Sequence, residues 1–142
     1  MYDSILVPTD GSETAAEAVI HALDLATQYD ATLHVLSVVD PRQFSTVGAD
    51  PSSVLAAVEE GAREAVEEVG AAATEADVPV ETAVRRGSPA RTITEYATDN
   101  DVDLVVMGTH GRSGLDRYLL GSVTERVVRT APVPVLTVRL EE

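Results

Sequence analysis

Four times along this chain a short apolar run is followed by a stretch with helical spacing, and a fifth apolar run closes the series. Ser4-Ile5-Leu6-Val7-Pro8 ends in the turn cluster Thr9-Asp10-Gly11-Ser12 and reads as a buried first strand. Ala15, Ala18, Val19, Ala22, Leu25, Ala26 and Tyr29 recur at helical spacing, which predicts an amphipathic helix over about 13–29. Ala31 to Val39 is a second strand, and Asp40 to Asp50 is a polar connection, with Pro41 and Gly48, whose shape stays open. Asp50-Pro51 starts a long helix, a capping carboxylate followed by proline at the first helical position. Val54, Val58, Ala62, Ala65, Val69 and Ala72 give it one apolar face through about residue 76, while Glu59, Glu60, Arg63, Glu64, Glu67 and Glu68 form a solvated face.

Val80, Thr82 and Val84 alternate with Glu81, Ala83 and Arg85, the pattern of a half-exposed edge strand. Ser88-Pro89 opens a third helix, Leu104 to Met107 is the most continuously apolar strand, and about 122–130 forms a fourth helix. Val133 to Val138 is the fifth strand; Pro134 cannot donate to a ladder, which puts this strand at an edge. Such alternation predicts an α/β fold: a doubly wound, five-stranded parallel sheet with helices on both faces, formed by residues 1–142 as one domain.

Two absences exclude whole classes of chemistry. There is no Cys, which removes thiol nucleophiles, disulfides and Cys-ligated zinc. All ten basic residues are Arg, so a Walker A loop, a kinase-type lysine, a response-regulator receiver site and Schiff-base catalysis are excluded. The formal charge of -14 repels nucleic acid and anionic membranes, so neither is an expected partner. Acidic residues in place of lysine fit a cytoplasm of very high salt, where a short Debye length screens self-repulsion, as in a halophilic archaeon. Met1 leads directly into a strand-like run and no apolar stretch reaches the roughly 18 residues of a membrane span, so the expected location is the cytoplasm.

In open parallel sheets ligands sit beyond the carboxyl ends of the strands, where the winding reverses. There the chain carries Gly108-Thr109-His110-Gly111-Arg112-Ser113-Gly114, then Gly121-Ser122-Val123-Thr124 as the next helix begins. Glycines admit an anion close to the backbone, and a helix N-terminus adds free N–H groups with partial positive charge. Hydroxyls of Ser122 and Thr124, with Arg112 nearby, complete a lysine-free phosphate cradle; the bland alternative is a glycine-rich turn capped by Ser122.

Gly108-x-x-Gly111, nine residues, then Gly121-Ser122 resembles the nucleotide-binding signature G-2x-G-9x-G-(S/T) of universal stress proteins. Val7-Pro8-Thr9-Asp10-Gly11-Ser12, Val38-Val39-Asp40, Leu120-Gly121-Ser122-Val123-Thr124-Glu125 and Pro132-Val133-Pro134-Val135-Leu136 extend the likeness from Tyr2 to Arg139. The resemblance implies strand order 3-2-1-4-5 in a Rossmann-like sheet and an ATP site (ADP or AMP in its place) between the first and fourth strands. It implies Pro8, Thr9 and Asp10 at the adenosine end, Val38 against the adenine, and Met107 and Gly108 beside the ribose. Gly111, Gly121, Ser122 and Val123 would hold the phosphates, with Mg2+ or Mn2+ bound through them and no direct protein ligand. It also implies a homodimer through the fifth strand and a role in stress response. The loop itself offers no catalytic base with a partner, so no catalytic residue is assigned and at most weak ATPase activity is expected, an oriented water helped by Asp10 or His110.

Weaker constellations surround this one. Asp99, Asp101 and Asp103 alternate like a calcium loop but lack its glycine and final glutamate, and read as a helix-to-strand turn. His21 and His34 read as surface or packing residues, and Gly111 to Leu115 fails the nucleophile-elbow pattern at its last position. Thr9-x-Gly11-Ser12-x-Thr14 faintly resembles a flavodoxin phosphate loop, which makes a flavin electron carrier one alternative. A dimeric interaction protein that keeps the fold without nucleotide is the other.

Overall fold

The computed structural model describes residues 1–44, 51–109 and 120–140. Five strands form one parallel sheet: β1 (Ser4–Pro8), β2 (Thr32–Val39), β3 (Val80–Arg86), β4 (Leu104–Gly108) and β5 (Val135–Val138). The spatial order is β3-β2-β1-β4-β5, as the family likeness implies. The flavodoxin arrangement, 2-1-3-4-5, is a different winding. Four helices connect the strands: α1 (Glu13–Tyr29), α2 (Pro51–Glu75), α3 (Pro89–Asp99) and α4 (Ser122–Thr130), with a short 3-10 turn at Pro41–Phe44.

Both faces of the sheet are covered, and the strands show it. Ile5, Leu6 and Val7 are all fully buried, as are Val105 and Val106, because successive side chains enter opposite cores. On one face Ile5, Val7, Leu33, Val35 and Val106 pack with Ala18, Ala22 and Ala26 of α1 and Val66 and Ala73 of α2. On the other, Leu6, Leu36, Val105 and Met107 pack with Ile93 and Tyr96 of α3 and Val127 of α4. Ser12 caps α1, its Oγ accepting from Ala15 N at 3.2 Å, and Asp30 ends the helix in the left-handed region at φ 55.

Two expectations need correction, and so does the alternative that Ser122 caps the fourth helix. The apolar stripe of α2 is displaced: Val66 and Ala73 are buried, Ala72 is exposed, and Val54, Val58, Ala62, Ala65 and Val69 are only half-buried. The fifth strand begins at Val135 rather than Val133, because Pro134 contributes only its carbonyl, which accepts from Val105 N at 3.0 Å. Helix α4 is capped by Gly121, and Ser122 is its first helical residue rather than its cap. The capping role expected of Asp50 lies outside the described residues.

The aspartates at the turn into β4 have a structural task. Asp103 Oδ2 accepts from Asp3 N at 2.8 Å and from Ser4 N at 3.1 Å, fastening the start of β1 to β4. Asp101 takes the left-handed turn position at φ 51. His34 is buried at the sheet surface, with Nδ1 2.8 Å from the Tyr96 hydroxyl and Nε2 4.0 Å from Glu81, whereas His21 is exposed.

Candidate functional site

At the carboxyl ends of β1, β2 and β4 lies a cavity of about 820 Å³. It stands where the winding reverses, β1 running on into α1 on one face and β4 leading towards α4 on the other. The size is within the range usual for small-molecule sites.

Local sequence explains how each rim segment reaches the cavity. Pairing of β1 with β2 continues one residue past Pro8, with Thr9 N donating to Leu36 O at 2.8 Å. The chain then turns sharply: Gly11 sits at φ 79, Gly11 N donates to Thr9 Oγ1 at 3.2 Å, and Ser12 N donates to Asp10 Oδ1 at 2.9 Å. Thr9 is buried and Asp10 exposed, and both line the cavity. On the far side Thr109 N donates to Val138 O at 2.9 Å and Gly121 N to Thr109 O at 2.7 Å, which returns the chain to the end of β4. Helix α4 therefore starts beside β4 with Ser122, Val123 and Thr124 on the cavity lining.

Ten of the expected ligand residues converge on this one cavity: Pro8, Thr9, Asp10, Val38, Met107, Gly108, Gly121, Ser122, Val123 and Thr124. Gly111 and Arg112, and with them His110, lie outside the described residues. Two of the ten have duties that the residue pattern did not reveal. Thr124 is buried, and its hydroxyl donates to Gly108 O at 2.9 Å. A hydroxyl has one proton, so Thr124 ties α4 to β4 and has none to give a phosphate. At Gly108 an added Cβ would stand 2.5 Å from Thr14 Cγ2 and 3.0 Å from Thr14 O, so this glycine lets α1 lie directly against β4.

The sequence reading missed a whole wall. Ala57, Val58, Gly61, Ala62 and Ala65 of α2 border the cavity, as do Pro89 and Ile93 of α3. Small residues at 57, 61, 62 and 65 interrupt an otherwise ordinary apolar face, and that interruption was the available signal. A Cβ placed on Gly61 would meet nothing within 4 Å.

Asp40, at the end of β2, is buried on the cavity lining. Its Oδ1 accepts from Arg42 N at 3.0 Å and Nε at 3.1 Å, and its Oδ2 from Arg42 Nη2 at 2.9 Å. Hydrogen bonding to the Arg42 side chain holds the Asp40 carboxyl below its usual range, against the opposing pull of burial. Among the described residues the lining thus carries two carboxylates, Asp10 and Asp40, and no cationic side chain. Anion-binding capacity there comes from backbone N–H groups at the start of α4, aided by the helix dipole.

A site with apolar walls from α2, α3 and Met107, polar strand-end turns and a helix N-terminus at one end suits a flat apolar group joined to an anionic tail. The model of the universal stress protein family matches residues 1–139. A universal stress protein of Methanocaldococcus jannaschii is 41% identical over 141 residues, covering 98% of this chain and 83% of that protein. The structure of a universal stress protein from Lactobacillus plantarum superimposes with a TM-score of 0.87 at 33% identity, covering 97% of this chain and 98% of its own. A universal stress protein solved in complex with cAMP has a TM-score of 0.75 at 25% identity and covers 99% of both chains.

Proposed function

Because the chain belongs to the universal stress protein family, we propose that its cavity binds an adenine nucleotide, ATP foremost with ADP or AMP as alternatives, and that occupancy regulates a stress response. The observation that carries this reading is the convergence of Pro8, Thr9, Asp10, Val38, Met107, Gly121, Ser122 and Val123 on one cavity that ends at a helix N-terminus. The relative solved with cAMP supports an adenine nucleotide as the ligand. In this reading the base lies against Val38 and the apolar walls, and the phosphates face the start of α4. Gly111 and Arg112 join from the glycine loop. Mg2+ or Mn2+ is held by phosphate oxygens and water, the ligands such ions prefer.

The proposal treats residues 1–142 as one cytoplasmic domain of a halophile, a setting suggested by the absence of Lys and the charge of -14. It assigns no catalytic residue and at most slow ATP hydrolysis. Dimerisation belongs to it as well: β5 is an edge strand, and Leu136 on it is 39% exposed. Covering such an edge with a second copy removes an aggregation hazard. Sedimentation of Leu136→Arg, expected to be monomeric, checks this part.

The decisive experiment titrates ATP with Mg2+ into the protein in molar KCl, beside Gly61→Leu. A leucine there projects into the cavity, while replacing glycine in an exposed helix favours folding by up to about 1 kcal/mol. The expected result is saturable binding by the wild type and loss of binding by an equally stable variant. A folded wild type that binds no adenine nucleotide would overturn the reading and favour an interaction module.

A further inference from the structure

The roof of the cavity is built unlike its other walls. Between Ser52 and Ala65 no residue of α2 is buried, whereas Val66 and Ala73 are 2% and 0% exposed. Apolar packing therefore fixes the second half of the helix to the sheet, while the first half extends over the cavity. Ala57, Val58, Gly61, Ala62 and Ala65 form its underside, and apart from the half-buried Val58 these small side chains bury little apolar area to hold it there.

That half is tied down at Glu59. Arg86, the last residue of β3, donates from Nε to Glu59 Oε2 at 3.0 Å and from Nη2 to Oε1 at 2.6 Å. This is the bidentate fork in which guanidinium and carboxylate fit best. Hydrogen bonding to Arg86 holds the Glu59 carboxyl below its usual range. The anchor point is firm, because Gly87 N donates to Val39 O at 3.0 Å, and Val39 and Asp40 border the cavity. The Glu59–Arg86 ion pair thus joins the loosely packed roof to the strand ends that form the floor.

We infer that Glu59 and Arg86 are positioning residues for the cavity: their pair latches the first half of α2 over it, and ligand exchanges when the latch opens. An exposed ion pair adds little to global stability. That suits a latch, since its loss frees the roof without unfolding the sheet. The inference rests on the nucleotide reading for its choice of probe only.

The test compares wild type, Glu59→Gln and the charge-reversed pair Glu59→Arg with Arg86→Glu. Amide hydrogen exchange is measured without ligand, and dissociation of a fluorescent ATP analogue is followed by stopped flow. In Glu59→Gln, amides over 54–65 should exchange about two- to fivefold faster, the range for losing one exposed pair, with those over 66–75 unchanged. The analogue should leave faster by a similar factor, and charge reversal should restore both. Unchanged exchange over 54–65, equal acceleration along the whole helix, or faster exchange with an unchanged dissociation rate would each overturn the latch. A wild type that binds no analogue would instead defeat the nucleotide reading and with it the gating of that ligand, while the exchange data would still decide whether the pair holds the roof.

Discussion

Replacing Gly108 by alanine tests whether this glycine serves packing before it serves a ligand. The new Cβ would stand 2.5 Å from Thr14 Cγ2, 3.0 Å from Thr14 O and 3.1 Å from Thr14 C. Thr14 is 3% exposed and β-branched, so its methyl cannot swing aside freely, and the other two atoms belong to the backbone of α1. Relief requires α1 to move off β4, an overpacking cost of about 1–3 kcal/mol. Against this, Gly108 is not at positive φ, and alanine restricts the unfolded chain, which gains roughly 0.4–1 kcal/mol. Packing wins, with a net loss of about 1–2 kcal/mol, or roughly 3–7 °C in melting temperature for a chain of this length. Urea denaturation in KCl measures the loss. Thr14→Ser removes only the methyl, so the double variant should recover part of it, with a coupling of about 0.5–1.5 kcal/mol. A Gly108→Ala protein as stable as wild type, or a coupling of zero, would refute the packing argument and return Gly108 to a ligand-binding role alone.

Other outcomes follow from features away from the cavity. Asp103→Ala removes the acceptor for Asp3 N and Ser4 N and should cost about 1–2 kcal/mol in urea denaturation, the lower part of the range for charged acceptors because one bond is exposed. Burial depresses the His34 pKa below its usual value despite Glu81. The unfolded chain therefore takes up a proton before the folded one, and stability should fall as pH drops below about 6.5. His34→Gln should flatten that slope, as read from melting temperatures between pH 8 and pH 5 at roughly unit steps. Raising KCl from about 0.1 M to about 1 M shortens the Debye length from about 10 Å to about 3 Å. With a net charge of -14, melting temperature should rise over that interval, and a flat or falling curve would contradict self-repulsion as the controlling force.

Strand positions were legible because a buried parallel strand writes itself as a continuous apolar run, as in Ile5 to Val7 and Leu104 to Met107. Apart from the local limits of β5 and α4, the failures share a cause, since they depended on neighbours distant in sequence. Ala71, Ala72 and Ala73 fit either face of α2 equally, and only contact with the sheet selects Ala73. The cavity wall on α2 reads as core until the strand ends are seen beneath it. Thr124 looks like a phosphate donor until the Gly108 carbonyl, distant along the chain, is found to hold its proton. Of the site itself, the β1 turn, the end of β2 and the start of α4 were readable, because glycines and hydroxyls at strand ends carry local meaning.

The position of β1 has a consequence for how the chain is made. It precedes the other four strands of this sheet in sequence, yet it ends in the middle, between β2 and β4. Its pairing with β2 can form early, but the partner for its other edge, Leu104 opposite Ile5, emerges only after most of the chain. Until then a nascent β1-β2-β3 half exposes one unpaired central edge and the apolar flank of α1 that later meets β4. Completion is a late, long-range event, sealed when Asp103 reaches back to the amides of Asp3 and Ser4. A net charge of -14 sets chains in that state against one another, which opposes their association through the waiting edge.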